Sequence, residues 1–419
     1  MNDSVGPFYM RTCERINKVM NKQLVELNQK LHSVTVFRNV LKDSVLEAFL
    51  EFLTDCEAGQ AMTVLIDAYS NFVNKLYGET ENFSEYVLNL ITNDENVYIR
   101  KVANEESIPA VLEESVKNEL AVFNDLASLV SEEIIMAIGY EGFLPKWSVS
   151  DIDVSEEYFD RVRNIKKYGY GIYSKYHMFY VKDEQLVPVK HPDTTTLDDL
   201  IGYPYERQQI INNTKALVQG KPAANVLLFG DAGTGKSSTV KAVVNKFKDE
   251  GLRVVEIRKE QLWEIPAIID ELNSVPLKFI LFIDDLSFNK GDDNFSTLKA
   301  ILEGSVSARS RNVVIYATSN RRHLIKESFS DREGDDIHRN DTMQETISLS
   351  ERFGLRVLFG KPDKKCYLEI VKAIAEKEGV DMSESELELL AERFALEKGG
   401  RSARGARQFV DSLLSKVQD

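Results

Sequence analysis

Eight consecutive residues, Gly230-Asp-Ala-Gly-Thr-Gly-Lys-Ser237, combine three glycines with a lysine and a serine in a spacing that suits a phosphate. Glycines let backbone N–H groups converge on an anion, and a helix that opens at the lysine adds the positive end of its dipole. In this G-x-x-x-x-G-K-S pattern Lys236 would neutralise β- and γ-phosphate oxygens, and the Ser237 hydroxyl would ligate Mg2+. Asp231, Ala232, Gly233, Thr234, Gly235 and Ser238 fill out the expected cradle. The apolar run Val226-Leu-Leu-Phe229 before the loop and Ser238-Thr-Val-Lys-Ala242 after it supply the strand, loop and helix that the pattern requires. ATP and Mg2+ are the expected ligands; the competing reading is a chance glycine turn.

Further along, Phe279-Ile-Leu-Phe-Ile-Asp-Asp285 is an apolar strand that ends in two carboxylates. Such a strand, buried in a parallel sheet, delivers its last residues to the ligand edge. Asp284 would hold Mg2+ through its water shell, and Asp285 would orient or deprotonate an attacking water. The plainer reading makes Asp285 a cap for the next loop.

A third strand, Asn312-Val-Val-Ile-Tyr-Ala317, runs into Thr318-Ser-Asn320, so an amide falls at the same edge and Asn320 could position the water. Asn is also a common residue of strand-end turns. Arg352, in Ser348-Leu-Ser-Glu-Arg-Phe353, precedes the last strand, where a guanidinium could point out of its own site and into a neighbour's, or join a surface ion pair. Arg401, Arg404 and Arg407 share a face near the C-terminus, and one of them could reach a γ-phosphate.

These residues need a scaffold. From Leu197 onward short apolar strands alternate with helical stretches, which predicts a parallel α/β sheet with strands at Asn225 to Phe229, Leu252 to Ile257, Phe279 to Ile283, Asn312 to Ala317 and Leu355 to Phe359. After Lys361-Pro362 only helical patterns remain, at Tyr367 to Glu376, Glu384 to Leu396 and Ala403 to Val417, giving a helical lid. The expected domains are a mainly helical one over 1–150, an aromatic-rich connector over 151–193, the α/β core over 194–361 and the lid over 362–419. In the first, Leu46, Phe49, Leu50 and Leu53 fall on one face, as do Leu65, Tyr69, Phe72 and Val73, and Val116, Leu120 and Phe123 repeat the spacing. In the connector, Ile172 to Val181 and Leu186 to Val189 flank a turn-like Lys182-Asp-Glu-Gln185 and could form a hairpin, packed or base-stacking.

The 419 residues carry 67 acidic and 52 basic side chains, a formal charge of −15, so the whole-molecule field repels nucleic acid and anionic membranes. Three cysteines, Cys13, Cys56 and Cys366, are odd in number and far from metal-ligand spacing, which suits a reducing cytoplasm. The first residues lack the charged-then-apolar pattern of an export signal, and the Phe279 to Ile283 run is far short of the ~20 residues that span a bilayer. A cytoplasmic protein is expected.

The order of phosphate loop, Asp-Asp strand, Ser-Asn strand end, Arg-Phe and helical arginine resembles the AAA+ P-loop ATPases over roughly Thr195 to Asp419. Pro222 to Gly230, Phe282 to Phe288, Leu298 to Gly304, Tyr316 to Leu324 and Ser348 to Leu355 look like the bacterial family named as domain of unknown function 815, which is ATP-binding. The resemblance implies that Asn320 is sensor 1, Arg352 the arginine finger and Arg404 sensor 2. It also implies that Ile201 and Gly202, in Leu197-Asp-Asp-Leu-Ile-Gly202, pack beside adenine. AAA+ proteins more often carry Glu where Asp285 stands. The charged loop Ser330 to Glu345 matches no motif.

The expected function is an AAA+ ATPase that hydrolyses Mg-ATP to drive a conformational change on an unidentified macromolecular partner. A homo-oligomer, as a ring, would supply Arg352 to the adjacent site, and the N-terminal domain would hold a protein partner. The alternatives are an ATP-gated switch or scaffold with little turnover, motivated by Asp285, and a nucleic-acid remodeller, suggested by Arg321, Arg322 and the hairpin but opposed by the acidic balance.

Overall fold

Runs of Val, Ile, Leu and Phe too short to make a helix, each bounded by turn residues, become the strands that carry the site. The computed structural model describes residues 22–288, 293–303, 311–320 and 349–415. Contacts divide the chain into two units, Met1–Lys175 and Tyr176–Asp419.

The first unit is helical. Helices Ser44–Glu57, Met62–Tyr77, Phe83–Asn93 and Ala110–Ala127 bury the stripes read from their spacing. Asp43 and Asn82 accept backbone N–H groups at two of their N-termini, as short polar residues do at caps. Phe49, Phe72, Phe83 and Trp147 pack ring against ring at the centre. One buried carboxylate, Glu119, accepts the N–H groups of Thr35, Val36 and Phe37, so a polar group at a core position fixes a turn.

The second unit is built on a seven-stranded sheet in the order β2-β1-β4-β5-β6-β3-β7. Its strands are β1 (Met178–Lys182), β2 (Gln185–Pro188), β3 (Val226–Gly230), β4 (Leu252–Glu256), β5 (Lys278–Ile283), β6 (Val313–Ser319) and β7 (Leu355–Phe359). All neighbours pair in parallel except the β1–β2 hairpin. Both faces are covered, as the continuous apolar strands require. Val226, Leu228, Ile280, Phe282, Val314 and Tyr316 pack with Ile210 and Leu217 of helix Pro204–Val218 and with Val240, Val243 and Val244 of helix Lys236–Phe247. The alternate residues Leu227, Phe279, Leu281, Ile283 and Ala317 are also buried. Helices Lys364–Lys377, Glu384–Glu397 and Ala403–Leu414 form the lid around Tyr367, Val371, Ala391, Phe409 and Val410.

Two expectations need correction. The stretch 151–193 is not one connector: helix Val154–Arg163 belongs to the first unit, where Val154 and Tyr158 join the aromatic core, whereas the hairpin belongs to the second. The α/β unit therefore begins at Tyr176 rather than at 194. Within the hairpin, Ile172–Lys175 is a helical turn and the first strand starts only at Met178. The turn itself is as read, with Asp183 and Glu184 both left-handed, the backbone that a two-residue hairpin loop demands. Phe179, paired in parallel with Val255 of β4, and Val181 are both buried, which makes the hairpin a packed edge rather than an open base-stacking platform.

Gly230 shows how tightly the sheet meets the loop. It has φ +130, and a Cβ there would lie 2.2 Å from the Phe359 carbonyl oxygen of β7. Gly220, at φ +70, has open space around it. Gly230→Ala is expected to cost about 2–4 kcal/mol in urea unfolding, against about 1 kcal/mol for Gly220→Ala. Equal losses would contradict the close approach.

Candidate functional site

Because β6 lies between β3 and β5, the ends of three strands open on one edge. Strand β3 delivers Gly230, β5 delivers Asp284 and Asp285, and β6 delivers Thr318 and Asn320. Gly233 (φ +73) and Gly235 (φ +89) turn the loop back, and Gly235 is the N-cap of helix Lys236–Phe247. The loop N–H groups and the helix N-terminus thus meet at one point, an arrangement that binds phosphate.

Lys236 is only 5% exposed. Its ammonium donates to the Gly230 carbonyl at 3.1 Å, the Asp231 carbonyl at 2.7 Å and Asn320 Oδ1 at 2.9 Å. Burial pulls its pKa below the usual lysine value, and Arg404 acts in the same direction, while Asp231, Asp285 and Asp284 oppose the shift. Asn320 in turn donates from Nδ2 to Asp285 Oδ1 at 2.8 Å. A lysine, an amide and a carboxylate from three different segments form one chain of hydrogen bonds.

Beside it, Ser237 donates to Asp284 Oδ1 at 2.6 Å. The same oxygen receives the Asp285 N–H at 3.1 Å and the Thr318 hydroxyl. A serine hydroxyl and a carboxylate are hard oxygen donors of the kind Mg2+ takes together with substrate phosphates and waters. Among the described residues no group of three or more His, Cys, Asp or Glu could hold a metal ion by itself. A cavity of about 410 Å3 lined by Glu256, Arg258, Lys259, Asp284 and Asp285 opens on this side.

The three lid arginines separate. Arg401 lies before the helix, not on its face, and clamps Glu392 through two bonds at 2.8 and 2.6 Å. Arg407 pairs with Glu378 at 2.8 Å and Asp411 at 3.1 Å. Arg404, exposed on the first turn, has no side-chain partner among the described residues. Its backbone N–H donates to the Gly233 carbonyl at 3.0 Å, and its Cβ lies 3.1 Å from where a Cβ on Gly233 would be. The unpaired guanidinium is the one mounted on the phosphate loop.

Arg352 sits at the other end of the sheet. Parallel pairing runs from Val226 opposite Leu355 to Gly230 opposite Phe359, so Arg352 precedes the sheet by three residues while its own loop follows β3, about 17 Å of strand away. Its Nε donates to Glu303 Oε1 at 2.7 Å, and it lines a recess of about 1020 Å3 with Asn225, Val313 and Gly354. The structure does not bring Arg352 to the site of its own chain.

Ile201 packs into the lid core, and a Cβ on Gly202 would lie 3.2 Å from Cys366 Sγ, so this segment runs along the seam between core and lid. Two residues missed in the sequence hold it there. Arg207 donates to the Leu200 and Ile201 carbonyls, the latter at 2.9 Å, and its burial lowers its pKa to about 10. Tyr203 donates to the Gly360 carbonyl at 2.6 Å. An arginine six residues past Ile201, on the first turns of a helix, was the available signal. Asp231 turns its carboxylate to the Lys361 N–H at 3.1 Å, joining the loop to the start of the lid. Ala232 is at the exposed crest of the loop, and Thr234 is buried with its hydroxyl on the Asp231 carbonyl. Ser238 lies in the first turn of the loop helix. Arg321, Arg322, Cys13 and the loop 330–345 lie outside the described residues.

Residues 174–417 match the model described as Protein of unknown function (DUF815). The chain belongs to that family. Two solved structures of point mutants of Thermotoga maritima RuvB are similar at 18% identity, with TM-scores of 0.37 and 0.36; each likeness covers 54% of this chain and 67% or 66% of the other. No curated protein matches. The core order β4-β5-β6-β3-β7, with the phosphate loop after β3, paired aspartates after β5 and a helical lid behind, is the AAA+ fold. No helix among the described residues is long and apolar enough to cross a membrane.

Removing an unpaired side chain should leave folding alone. Arg404→Ala is expected to keep urea stability within about 0.5 kcal/mol of the parent. Arg401→Ala, which leaves Glu392 only its 3.8 Å pair with Lys364, should lose more. The reverse ranking would mean that Arg404 has a structural partner.

Proposed function

We propose that the chain binds Mg-ATP and hydrolyses it to ADP and phosphate, using the cycle to move the lid against the core and so act on a macromolecular partner. The supporting observation is the continuous chain from Lys236 through Asn320 to Asp285, with Ser237 and Asp284 beside it, all at one strand edge. Adenine lies against Ile201 and Gly202. The loop from Asp231 through Gly235 wraps the phosphates, with Ser238 at the helix start.

Lys236 exchanges its two carbonyl partners for β- and γ-phosphate oxygens. Ser237 and Asp284 would hold Mg2+, which supplies charge neutralisation on the phosphates. Asp285 accepts a proton from the attacking water while the water oxygen bonds to the γ-phosphorus and the bond to the β–γ bridging oxygen breaks. Asn320 orients that water, and Arg404 meets the γ-phosphate from the lid.

Arg352 acts on the site of a neighbouring copy, which requires release of Glu303 and makes the working form a homo-oligomer, read as a ring. The helical first unit holds the protein partner, in the cytoplasm. A second reading, an ATP-gated switch with little turnover, is favoured by the short Asp285 carboxylate and its bond to Asn320. Phosphate release separates the two.

Lys236→Ala should weaken a fluorescent ATP analogue about 100-fold. Asp285→Asn should keep that affinity and lower phosphate release about 100-fold. Unchanged release would leave the switch reading standing. Mixing Arg352→Ala with Lys236→Ala, each inactive alone, should recover measurable hydrolysis, since each supplies what the other lacks. No recovery would oppose action in trans.

A further inference from the structure

Thr318 carries a hydroxyl at the strand edge to which neither the phosphate loop nor the water-orienting amide gives a role. It is 2% exposed and sits at the end of β6, next in register to Leu228 of β3. On its other side the β5–β6 ladder has ended at the pair Ile283 and Ala317, so the two aspartates leave the sheet where Thr318 begins. Its hydroxyl donates to Asp284 Oδ1 and accepts the Asp285 N–H at 2.9 Å. Its carbonyl accepts the Leu286 N–H at 2.7 Å. One residue therefore ties down three successive residues of the neighbouring strand end.

The middle of those three needs the restraint. Asp285 has φ +50, a left-handed backbone that costs a residue with a Cβ energy unless its surroundings hold it. In that conformation the Asp285 carboxylate meets Asn320 Nδ2. Asp284 Oδ1 is also fixed from two directions, by Ser237 from the phosphate loop and by Thr318 from β6. A serine oxygen that gives a lone pair to a metal can still donate its proton to this carboxylate, so the two hydroxyl bonds are compatible with a bound cation.

We infer that Thr318 is a positioning residue whose hydroxyl sets the Asp284 carboxylate for Mg2+ and clamps Asp285 in its left-handed conformation for water activation. The inference rests on the roles proposed above for the two aspartates. Outer hydroxyls that orient a metal-linked carboxylate typically matter 10–100-fold for metal affinity or activity.

The test uses the full chain with Thr318→Val, which keeps shape and loses the hydroxyl, and Thr318→Ser, which keeps the hydroxyl. Binding of a fluorescent ATP analogue is measured in EDTA, and Mn2+ binding to the ATP complex is measured by electron paramagnetic resonance. Thr318→Val is expected to bind the analogue in EDTA within about twofold of the parent, to need about tenfold more Mn2+, and to lower kcat more than it changes KM; Thr318→Ser should restore both. Parental Mn2+ affinity in Thr318→Val, or a Thr318→Ser protein as impaired as Thr318→Val, overturns the inference. So does loss of metal-free binding in Thr318→Val, which would make the hydroxyl a requirement of the whole cradle. Failure of the parent to bind the analogue in either buffer would instead remove the nucleotide reading itself.

Discussion

A buried ammonium has to be satisfied, and the second unit is arranged around that requirement. Lys236 is enclosed by its own loop, and an unpaired cation there would carry a large desolvation cost. Two loop carbonyls and Asn320 meet the need. The two carbonyls are acceptors that phosphate oxygens could replace. The side chain that would bind substrate therefore also holds the loop, β6 and, through Asn320, the end of β5 in one arrangement. Exchange of these internal acceptors for phosphate would be felt at Asp285 directly.

Topology makes that linkage possible. With β6 seated between β3 and β5, residues distant in sequence arrive at the same edge in register. The phosphate loop is closed from the other side by β7, whose Phe359 carbonyl accepts the Asp231 N–H at 3.0 Å. The lid enters through two short backbone contacts, Lys361 to the Asp231 carboxylate and Arg404 to the Gly233 carbonyl. Both involve residues of the loop, which suits a lid that answers to what the loop holds.

Much of this was legible in residue types. Five core strands and three lid helices follow from apolar runs and periodicity, and the last strand matches at both ends, Leu355–Phe359. The loop, the two aspartates and Asn320 announce themselves because each sits at a strand end. The hairpin was harder: its attachment to β4 is a long-range parallel pairing that leaves no local trace, and the aromatic run after Ile172 fits a helical turn as well as a strand. Arg401, Arg404 and Arg407 could not be ranked by spacing: Asp411 lies one turn on from Arg407, but Glu392 and Glu378 come from other segments of the lid. Thr318 and Arg207 escaped notice because a threonine in a strand and an arginine on a helix are ordinary until their partners are known.

A phosphate that displaces the internal partners of Lys236 should draw the lid onto the loop. Amide hydrogen exchange on the full chain, with and without Mg-ATP, tests it most directly. Slowed exchange in 230–238, in 318–320 and at the start of the last lid helix around Arg404, together, is the predicted result. Exchange that is unchanged in all three segments at saturating nucleotide, or protection of the loop with none at β6 or the lid, would contradict it.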